Sequence, residues 1–155
     1  MTWIVPDWKA PAHVVAISTT RAAERDERAD LARIFGGDPV QLRQVHGTRV
    51  VAIDAANRQA ALVQPPEADA AVTRTTGLAI AVRAADCLPV LFADRAGSVV
   101  AAAHAGWRGL AAGVLEATVR AMHVAPRDLV AWIGPAIGPR LFEVCRDVYD
   151  AFVGV

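Results

Sequence analysis

The chain has 155 residues, of which 54% are hydrophobic types and 21% are charged, and its 16 basic and 16 acidic residues leave no formal net charge. This composition excludes an intrinsically disordered chain, which combines low hydrophobicity with high net charge. It also argues against a nucleic-acid partner, because phosphate contacts need a clustered excess of Lys and Arg. The length predicts one domain over residues 1–155, with a core that needs no disulfide.

The sequence also predicts where the protein works. Its first residues, MTWIVPDWKAP, lack the basic region and the long apolar run of a signal peptide. No apolar run reaches the roughly 18 residues that a membrane-spanning helix needs. We therefore expect a soluble cytoplasmic protein with no membrane partner, in which Cys87 and Cys145 are free thiols.

In the first half of the chain, β-branched and alternating apolar residues predict strands in three segments: residues 13–18, 40–45 and 49–53. The charged segment 22–30 runs into LARIF and predicts a short helix that ends at Gly36-Gly37. His46-Gly47 separates the second and third strands and predicts a turn that carries a histidine. Residues 55–68 contain a Pro-Pro pair and predict a surface loop.

The second half contains five short predicted strands separated by turn residues: residues 69–73, 78–83, 88–92, 98–103 and 129–133. One helix is predicted over residues 108–123 and another, amphipathic, over residues 141–152. The prolines of residues 134–139 predict a rigid loop. Because helices alternate with adjacent hairpins, we expect an α+β fold, layered around a mixed sheet.

Three side chains with metal-binding atoms lie where predicted strands meet a turn: His46, Cys87 and His104. Strand ends present side chains to clefts. Two imidazoles and one thiolate form a three-ligand zinc shell that leaves a fourth position for water or substrate. The alternative is that each residue is structural, since an isolated histidine at a strand end is commonly hydrogen-bonded and a free cysteine is commonly a small core residue. The other two histidines, His13 and His123, are assigned structural roles.

The segment AGWRG, residues 105–109, joins a predicted strand to a predicted helix. Gly106 and Gly109 would let backbone N–H groups face an anion at the start of that helix. Arg108 lies in the first turn, where the helix dipole disfavours a cation, so a phosphate or carboxylate ligand is one reason for its presence. The alternative is an ordinary helix start that Trp107 anchors by packing.

Four motifs follow one another along the chain: QVHG at residues 44–47, ADCLPVLF at 85–92, AHAGWRGL at 103–110 and WIGPAIGP at 132–139. In this order they resemble the YfiH/laccase-domain family, also called the multicopper polyphenol oxidase family. Members of that family are also described as purine nucleoside phosphorylases with adenosine deaminase activity. The resemblance extends from about residue 17 to residue 153.

The resemblance implies a zinc site made of His46, Cys87 and His104, in a YfiH-like layered fold with mixed sheets flanked by helices. It implies a purine nucleoside and phosphate as small-molecule partners. The implied reactions are phosphorolysis of adenosine, inosine, guanosine or methylthioadenosine, and deamination of adenosine.

Within that mechanism, Asp86 is the candidate general acid or base because it is adjacent to Cys87. Its alternative role is to orient a ligand imidazole. Arg108 is the second candidate catalytic residue and is expected to hold phosphate. The remaining expected substrate contacts are a second phosphate-binding cation, a residue that orients the base, and the two glycines of the helix start: Arg21, Gln44, Gly106 and Gly109.

The chain departs from the family pattern at two places. Arg21 runs directly into AAERDERAD, without the Gly-rich insert and the Asn-Leu-Gly segment that family members carry there. Val155 comes before the Cys-Thr and Tyr-Arg elements of the family's C-terminal part. A shortened domain of this kind would expose apolar surface, which favours a homo-oligomer.

Three alternative functions stay open at this point. Two histidines and a cysteine are also the ligands of blue copper, with Met122 as a candidate axial ligand, which would fit a copper-dependent polyphenol oxidase. A laccase needs further imidazoles for a three-copper centre, however, and only His13 and His123 remain. The second alternative is a hydrolase in which His104 activates Cys87 as a nucleophile. The third is a non-catalytic zinc-binding remnant with an open pocket.

Overall fold

The computed structural model describes residues 3–20 and 27–153. Its centre is a sheet of five strands: β1 (Val50–Ala52), β2 (Ala70–Thr73), β3 (Leu88–Asp94), β4 (Val100–Ala105) and β5 (Leu129–Ile133). Across the sheet the order is β1-β2-β4-β3-β5. β1 and β2 are parallel, and the other neighbouring pairs are antiparallel. The sheet is therefore mixed, and the predicted α+β class is confirmed.

Within the described ranges, five α-helices accompany the sheet: α1 (Glu27–Phe35), α2 (Arg58–Val63), α3 (Trp107–Ala112), α4 (Val114–Met122) and α5 (Arg146–Phe152). α1 ends as predicted, because Gly36 adopts a φ of 70° and the N–H of Gly37 donates to the carbonyl of Ala32. Residues 22–26 of that predicted helix lie outside the described residues. Among the helices of the described ranges, none combines the length and apolarity that crossing a membrane requires.

Two apolar layers cover the two faces of the sheet, because successive side chains of a strand point in opposite directions. On one face, Ala103 and Ala105 of β4 pack with Val114 and Met122 of α4. On the other face, a second cluster joins the sheet to α2 and to the segment before β1: Val40, Leu42, Ile53, Ala61, Ala68, Ala71 and Leu78. His104 lies between Ala103 and Ala105 and therefore points to the face opposite α4.

Three of the predicted strands, residues 13–18, 40–45 and 78–83, are absent as strands from the described residues. They contribute isolated bridges only: Ile4 with Ser18, Val40 with Ile80, and Arg43 with Glu67. Val40 and Leu42 are nevertheless buried in the core. The alternating pattern thus predicted burial correctly, but alternation does not specify whether a segment has a neighbour with which to form a ladder.

The helices differ from prediction in three places. The predicted helix 108–123 is divided at Gly113, whose φ of 95° ends α3 before α4 begins. α2 occupies part of the predicted loop 55–68. The final helix begins at Arg146 instead of residue 141. In the first case a left-handed glycine, and in the second a brief turn of helix, prevailed over the broader sequence pattern.

Residues 94–99, from the last residue of β3 to the residue before β4, are called the hairpin turn below. The N–H of Gly97, at a φ of 67°, donates to the carbonyl of Asp94 over 3.0 Å. The Asp94 carboxylate, 5% exposed, accepts the N–H and the hydroxyl of Ser98 and the N–H of Val99. Burial raises the pKa of Asp94, but these hydrogen bonds outweigh burial and leave its pKa below the ordinary value.

Candidate metal centre

Three side chains with metal-binding atoms meet where β4 ends and β3 begins. His46 lies in residues 45–47, which we call the ligand turn, Cys87 directly precedes β3, and His104 lies in β4. One ligand atom from each of the three lies within 4.8 Å of the others. Cys87 Sγ is 4.0 Å from His46 Nε2, and the two imidazole rings meet edge to face with centroids 4.8 Å apart. The fold therefore brings together the three residues predicted as ligands.

The antiparallel pairing of β3 and β4 explains how Cys87 reaches His104. Leu88 lies opposite Ala105, and Pro89 lies opposite His104. Since Cys87 precedes Leu88, its thiol lies beside the end of β4, where the chain enters α3.

A carboxylate, Asp69, links the ligand turn to His104. It precedes β2 and is 0% exposed. Its Oδ1 lies 2.9 Å from the N–H nitrogen of His46 and 2.8 Å from Nδ1 of His104. Its Oδ2 accepts the N–H of Val45 at 3.2 Å and of Gly47 at 2.7 Å. Burial raises the pKa of Asp69, but the hydrogen bonds from His104 and the three N–H groups outweigh it and lower the pKa below its ordinary value.

Asp69 is not among the site residues predicted from the sequence. The available signal was a carboxylate directly before AAVT, a strand whose four residues are all buried. A charge in such a place is costly unless several hydrogen bonds satisfy it.

Asp86, predicted as an acid, a base or an orienting residue, is exposed, and its main-chain carbonyl accepts the N–H of Ile137 at 3.0 Å. The carboxylate that contacts a ligand imidazole is therefore Asp69.

Gly106 and Gly109 allow α3 to pack directly on the ligand residues. A Cβ atom at Gly106 would lie 2.7 Å from Cδ2 of His46 and 3.0 Å from Sγ of Cys87. A Cβ atom at Gly109 would lie 2.9 Å from the carbonyl oxygen of Gly47. Both glycines are buried, so close packing accounts for their presence without an anion.

The remaining predicted contacts lie in different surroundings. Arg108 is exposed, and its guanidinium carbon lies 4.2 Å from the centroid of the Trp107 ring, as in a cation–π contact. Gln44 donates from Nε2 to the carbonyl of Arg83 at 2.7 Å and accepts the N–H of Arg83 at 2.8 Å. It thus ties the segment before the ligand turn to the segment before Cys87. Arg21 lies outside the described residues.

The three side chains fit a metal ion in donor type and in spacing. Atoms that share one tetrahedral zinc ion lie roughly 3.3–3.7 Å apart, given metal–ligand bonds of about 2.0–2.3 Å. The 4.0 Å between His46 Nε2 and Cys87 Sγ is therefore within a small side-chain adjustment of that spacing. Two imidazole nitrogens and one sulfur suit zinc, and three protein ligands leave one position for water or substrate.

The other candidate copper ligands, His13, His123 and Met122, lie away from the cluster. His13 Nε2 is 3.3 Å from the carbonyl of Gly97 in the hairpin turn, and His123 ends α4 with a φ of 48°. Met122 is fully buried in the core formed with α4, on the sheet face opposite His104. These residues therefore supply neither a three-copper centre nor an axial ligand to the cluster.

Cys87 lacks the surroundings of an activated nucleophile. Burial raises the pKa of its thiol, and the negative charges of Asp86 and Asp69 raise it further. Nucleophilic cysteines have lowered pKa values. The imidazole nitrogen found beside its sulfur belongs to His46, whereas the hydrolase alternative assigned that role to His104. The geometry therefore favours Cys87 as a metal ligand.

Comparisons with known proteins agree with the fold. Residues 16–155 match the family model described as multi-copper polyphenol oxidoreductase laccase. The chain is 44% identical to purine nucleoside phosphorylase PA4543 of Pseudomonas aeruginosa, covering 97% of this chain and 69% of that protein. It is 42% identical to purine nucleoside phosphorylase YfiH of Escherichia coli, covering 98% and 70%.

Solved structures show the same likeness. The crystal structure of NMB0706 from Neisseria meningitidis superposes with a TM-score of 0.83 at 43% identity, covering 97% of this chain and 69% of that one. A protein named YfiH from Bacillus licheniformis gives a TM-score of 0.71 at 27% identity, covering 94% and 60%. The chain therefore belongs to the YfiH-type, multi-copper polyphenol oxidoreductase (laccase) family, in which its relatives carry the name purine nucleoside phosphorylase.

Proposed function

We propose that the chain is a zinc-dependent purine nucleoside enzyme. Its reactions are phosphorolysis of adenosine, inosine, guanosine or methylthioadenosine, and deamination of adenosine. The observation that carries the proposal is the convergence of His46, Cys87 and His104 within 4.8 Å. The names of the relatives, which match nearly the whole chain at more than 40% identity, support the nucleoside as substrate.

The donor set alone fits zinc and blue copper alike, and what surrounds it favours zinc. Met122 and the other two histidines lie away from the cluster, as described above. When bound with three protein ligands, zinc supplies a hydroxide nucleophile near neutral pH, because it lowers the pKa of a coordinated water to about 7. The contribution of the chain is to orient the substrate and to move protons.

Deamination requires a proton carrier. An oxygen from water replaces the amino group at C6 of adenosine, and ammonia leaves, so protons must pass from the water to the departing nitrogen. Asp86 is exposed and adjacent to Cys87, which makes it our candidate general acid and base.

Phosphorolysis requires an anion-binding group. A phosphate oxygen bonds to C1′ of the ribose while the bond from C1′ to the base nitrogen breaks, and the base leaves with a proton. Arg108 is our candidate phosphate ligand because its guanidinium is exposed and lies two residues after Gly106, which packs on His46 and Cys87. Its contact with the Trp107 ring restricts the side chain before substrate arrives.

A groove on the same sheet face as His104 is our candidate for the nucleoside. It has a volume of about 870 Å³ and is lined in part by Arg83, Pro89 and Trp132. Pro89 lies opposite His104 in the sheet, so its end of the groove is next to the cluster. From there the groove extends away from the cluster. This volume is in the usual range for small-molecule sites. Gln44 would act on the base side by holding Arg83 in the wall of the groove.

Two broader expectations accompany this proposal. A cytoplasmic location suits a cysteine that must stay reduced to bind metal. A homo-oligomer is supported by apolar side chains that are exposed in and before α5: Leu141, Phe142, Val144, Tyr149 and Phe152. Light scattering on the purified chain measures the oligomer directly.

The test compares Cys87→Ala with Cys145→Ala, which removes an exposed free thiol at the start of α5. Both variants are assayed with adenosine, with and without phosphate, for ammonia, free adenine and ribose 1-phosphate. We expect Cys87→Ala to lose both activities and Cys145→Ala to keep them. Unchanged turnover in Cys87→Ala would overturn the metal mechanism. Zinc binding without turnover by the wild-type chain would identify a non-catalytic zinc-binding domain instead.

A further inference from the structure

We propose that Asp69 is the positioning residue that sets up the metal site, by ordering the ligand turn and fixing the tautomer of His104 with the same carboxylate. This inference rests on the proposed metal site. It assigns a role to a residue that contributes no metal-binding atom to the cluster.

Asp69 receives four hydrogen bonds. An ionised carboxylate offers about four acceptor positions. At Asp69, three are used by the N–H groups of residues 45–47 and one by Nδ1 of His104, at distances from 2.7 to 3.2 Å. The side chain is fully buried, so no exposed surface competes for these positions. Asp69 therefore joins a turn and a strand that are far apart in the sequence.

The same carboxylate determines which ring nitrogen of His104 carries the hydrogen. An ionised carboxylate can only accept hydrogen bonds, so Nδ1 of His104 must carry the hydrogen that points at Asp69. In a neutral imidazole, Nε2 then keeps a free lone pair, which is the form that binds a metal. Asp69 thus selects the tautomer that can serve as a ligand, whether or not a metal is bound.

Asp69 also holds the backbone around His46. Its φ of 61° lies in the left-handed region that residues other than glycine rarely occupy. The N–H groups of His46 and of both its neighbours donate to Asp69, which keeps the turn in this conformation. Both imidazole ligands therefore depend on one carboxylate.

An asparagine at this position would fail in either orientation. If its NH₂ group replaced Oδ2, two donors, the N–H groups of Val45 and Gly47, would face a third donor. If the NH₂ group replaced Oδ1, it would donate to Nδ1 of His104 and favour the tautomer whose Nε2 carries hydrogen and cannot bind metal.

The experiment uses the full chain with Asp69→Asn and, as a matched control, Asp94→Asn. Asp94 is also buried and also accepts backbone N–H groups, but it lies in the hairpin turn. Zinc affinity is measured by competition with a chromophoric chelator, and the tautomer of His104 by its ring ¹⁵N shifts in zinc-free protein. We expect Asp69→Asn to lose zinc affinity by about 10- to 100-fold and to shift His104 away from the Nδ1–H tautomer. Asp94→Asn should keep the affinity and the tautomer of the wild type.

The outcomes separate this inference from the proposed function. Equal zinc affinity in Asp69→Asn and the wild-type chain would overturn the role of Asp69 while leaving the metal site intact. Failure of the wild-type chain to bind zinc would overturn the proposed function. If Asp69→Asn does not fold, the wild-type spectrum decides alone: a dominant Nδ1–H tautomer of His104 supports the inference, and a dominant Nε2–H tautomer overturns it.

Discussion

The ligand turn and the hairpin turn are held in the same way but differ in the residue that adopts a positive φ. In each, a buried aspartate accepts backbone N–H groups of the turn. The hairpin turn places Gly97 at a φ of 67°, whereas the ligand turn places His46 at a φ of 61°.

This difference shows that the proposed metal site includes a backbone conformation that lowers stability. Glycine adopts a positive φ without steric cost, but another residue there costs about 1–2 kcal/mol. The hairpin turn has only to connect two strands, so glycine suffices. In the proposed site the ligand turn carries an imidazole, which its strained backbone places against Cys87 and His104. Backbone strain of this kind is typical of functional sites.

The largest effect is expected when His46 is replaced by the residue that the hairpin turn uses. His46→Gly should lose zinc affinity by more than about 100-fold, because a ligand contributes more than the residues that orient it. The free energy of unfolding of the zinc-free chain should rise by up to about 1 kcal/mol, since the relief of strain exceeds the chain entropy that glycine adds. Chelator competition and urea unfolding measure the two quantities.

The control for His46→Gly is His123→Gly at the end of α4, where the φ is also positive. It should give a similar gain in stability with unchanged zinc affinity. Zinc affinity retained by His46→Gly would contradict the assignment of the ligand turn.

A smaller effect is expected from filling the space between α3 and the ligand turn. In Gly106→Ala the added Cβ atom would lie 2.7 Å from His46 and 3.0 Å from Cys87, so both ligands must move. Overpacking of this kind costs about 1–3 kcal/mol, which corresponds to a loss of zinc affinity of about 5- to 150-fold. In Gly138→Ala the new atom would meet nothing within 4 Å, so affinity should not change. Equal affinities in the two variants would show that α3 does not constrain the ligands.

The smallest effect on zinc affinity is expected at the hairpin turn, where only stability should change. Asp94→Asn should lower the free energy of unfolding by about 1–3 kcal/mol at neutral pH, because it disrupts buried charge-assisted hydrogen bonds. The folded pKa of Asp94 is lowered, so its contribution is fully present above the unfolded value of about 3.9 and is lost as pH falls through the folded value. The difference between Asp94→Asn and wild type should therefore stay constant above about pH 5 and shrink below about pH 4.

Urea unfolding of zinc-free protein at several pH values measures this difference. Asp150→Asn, which removes one partner of an exposed ion pair with Arg146, should change stability by less than about 1 kcal/mol at every pH. A gap between Asp94→Asn and wild type that widens in acid would contradict the direction of the pKa shift.

The sequence predicted local features well and tertiary relationships only in part. β5 was predicted at residues 129–133 and is found there, because a short apolar strand between turn residues has one simple interpretation. The candidate metal ligands were recognisable because each stands at a strand end or beside a glycine. The resemblance to a family then favoured this one combination of His46, Cys87 and His104.

The role of Asp69 was beyond such reasoning. Its hydrogen bonds join residues that are 22 to 35 positions away, and no local pattern specifies which turn a buried carboxylate will meet. The same limit explains the bridges at Val40 and Arg43, where burial was predictable but the partner segment was not.

The central claim is that one zinc ion is held by His46, Cys87 and His104, and the metal content of the purified wild-type chain tests it most directly. Native mass spectrometry together with elemental analysis should find one zinc and no copper per chain. A chain that takes up no zinc when zinc is supplied, or that holds copper in its place, would contradict the account.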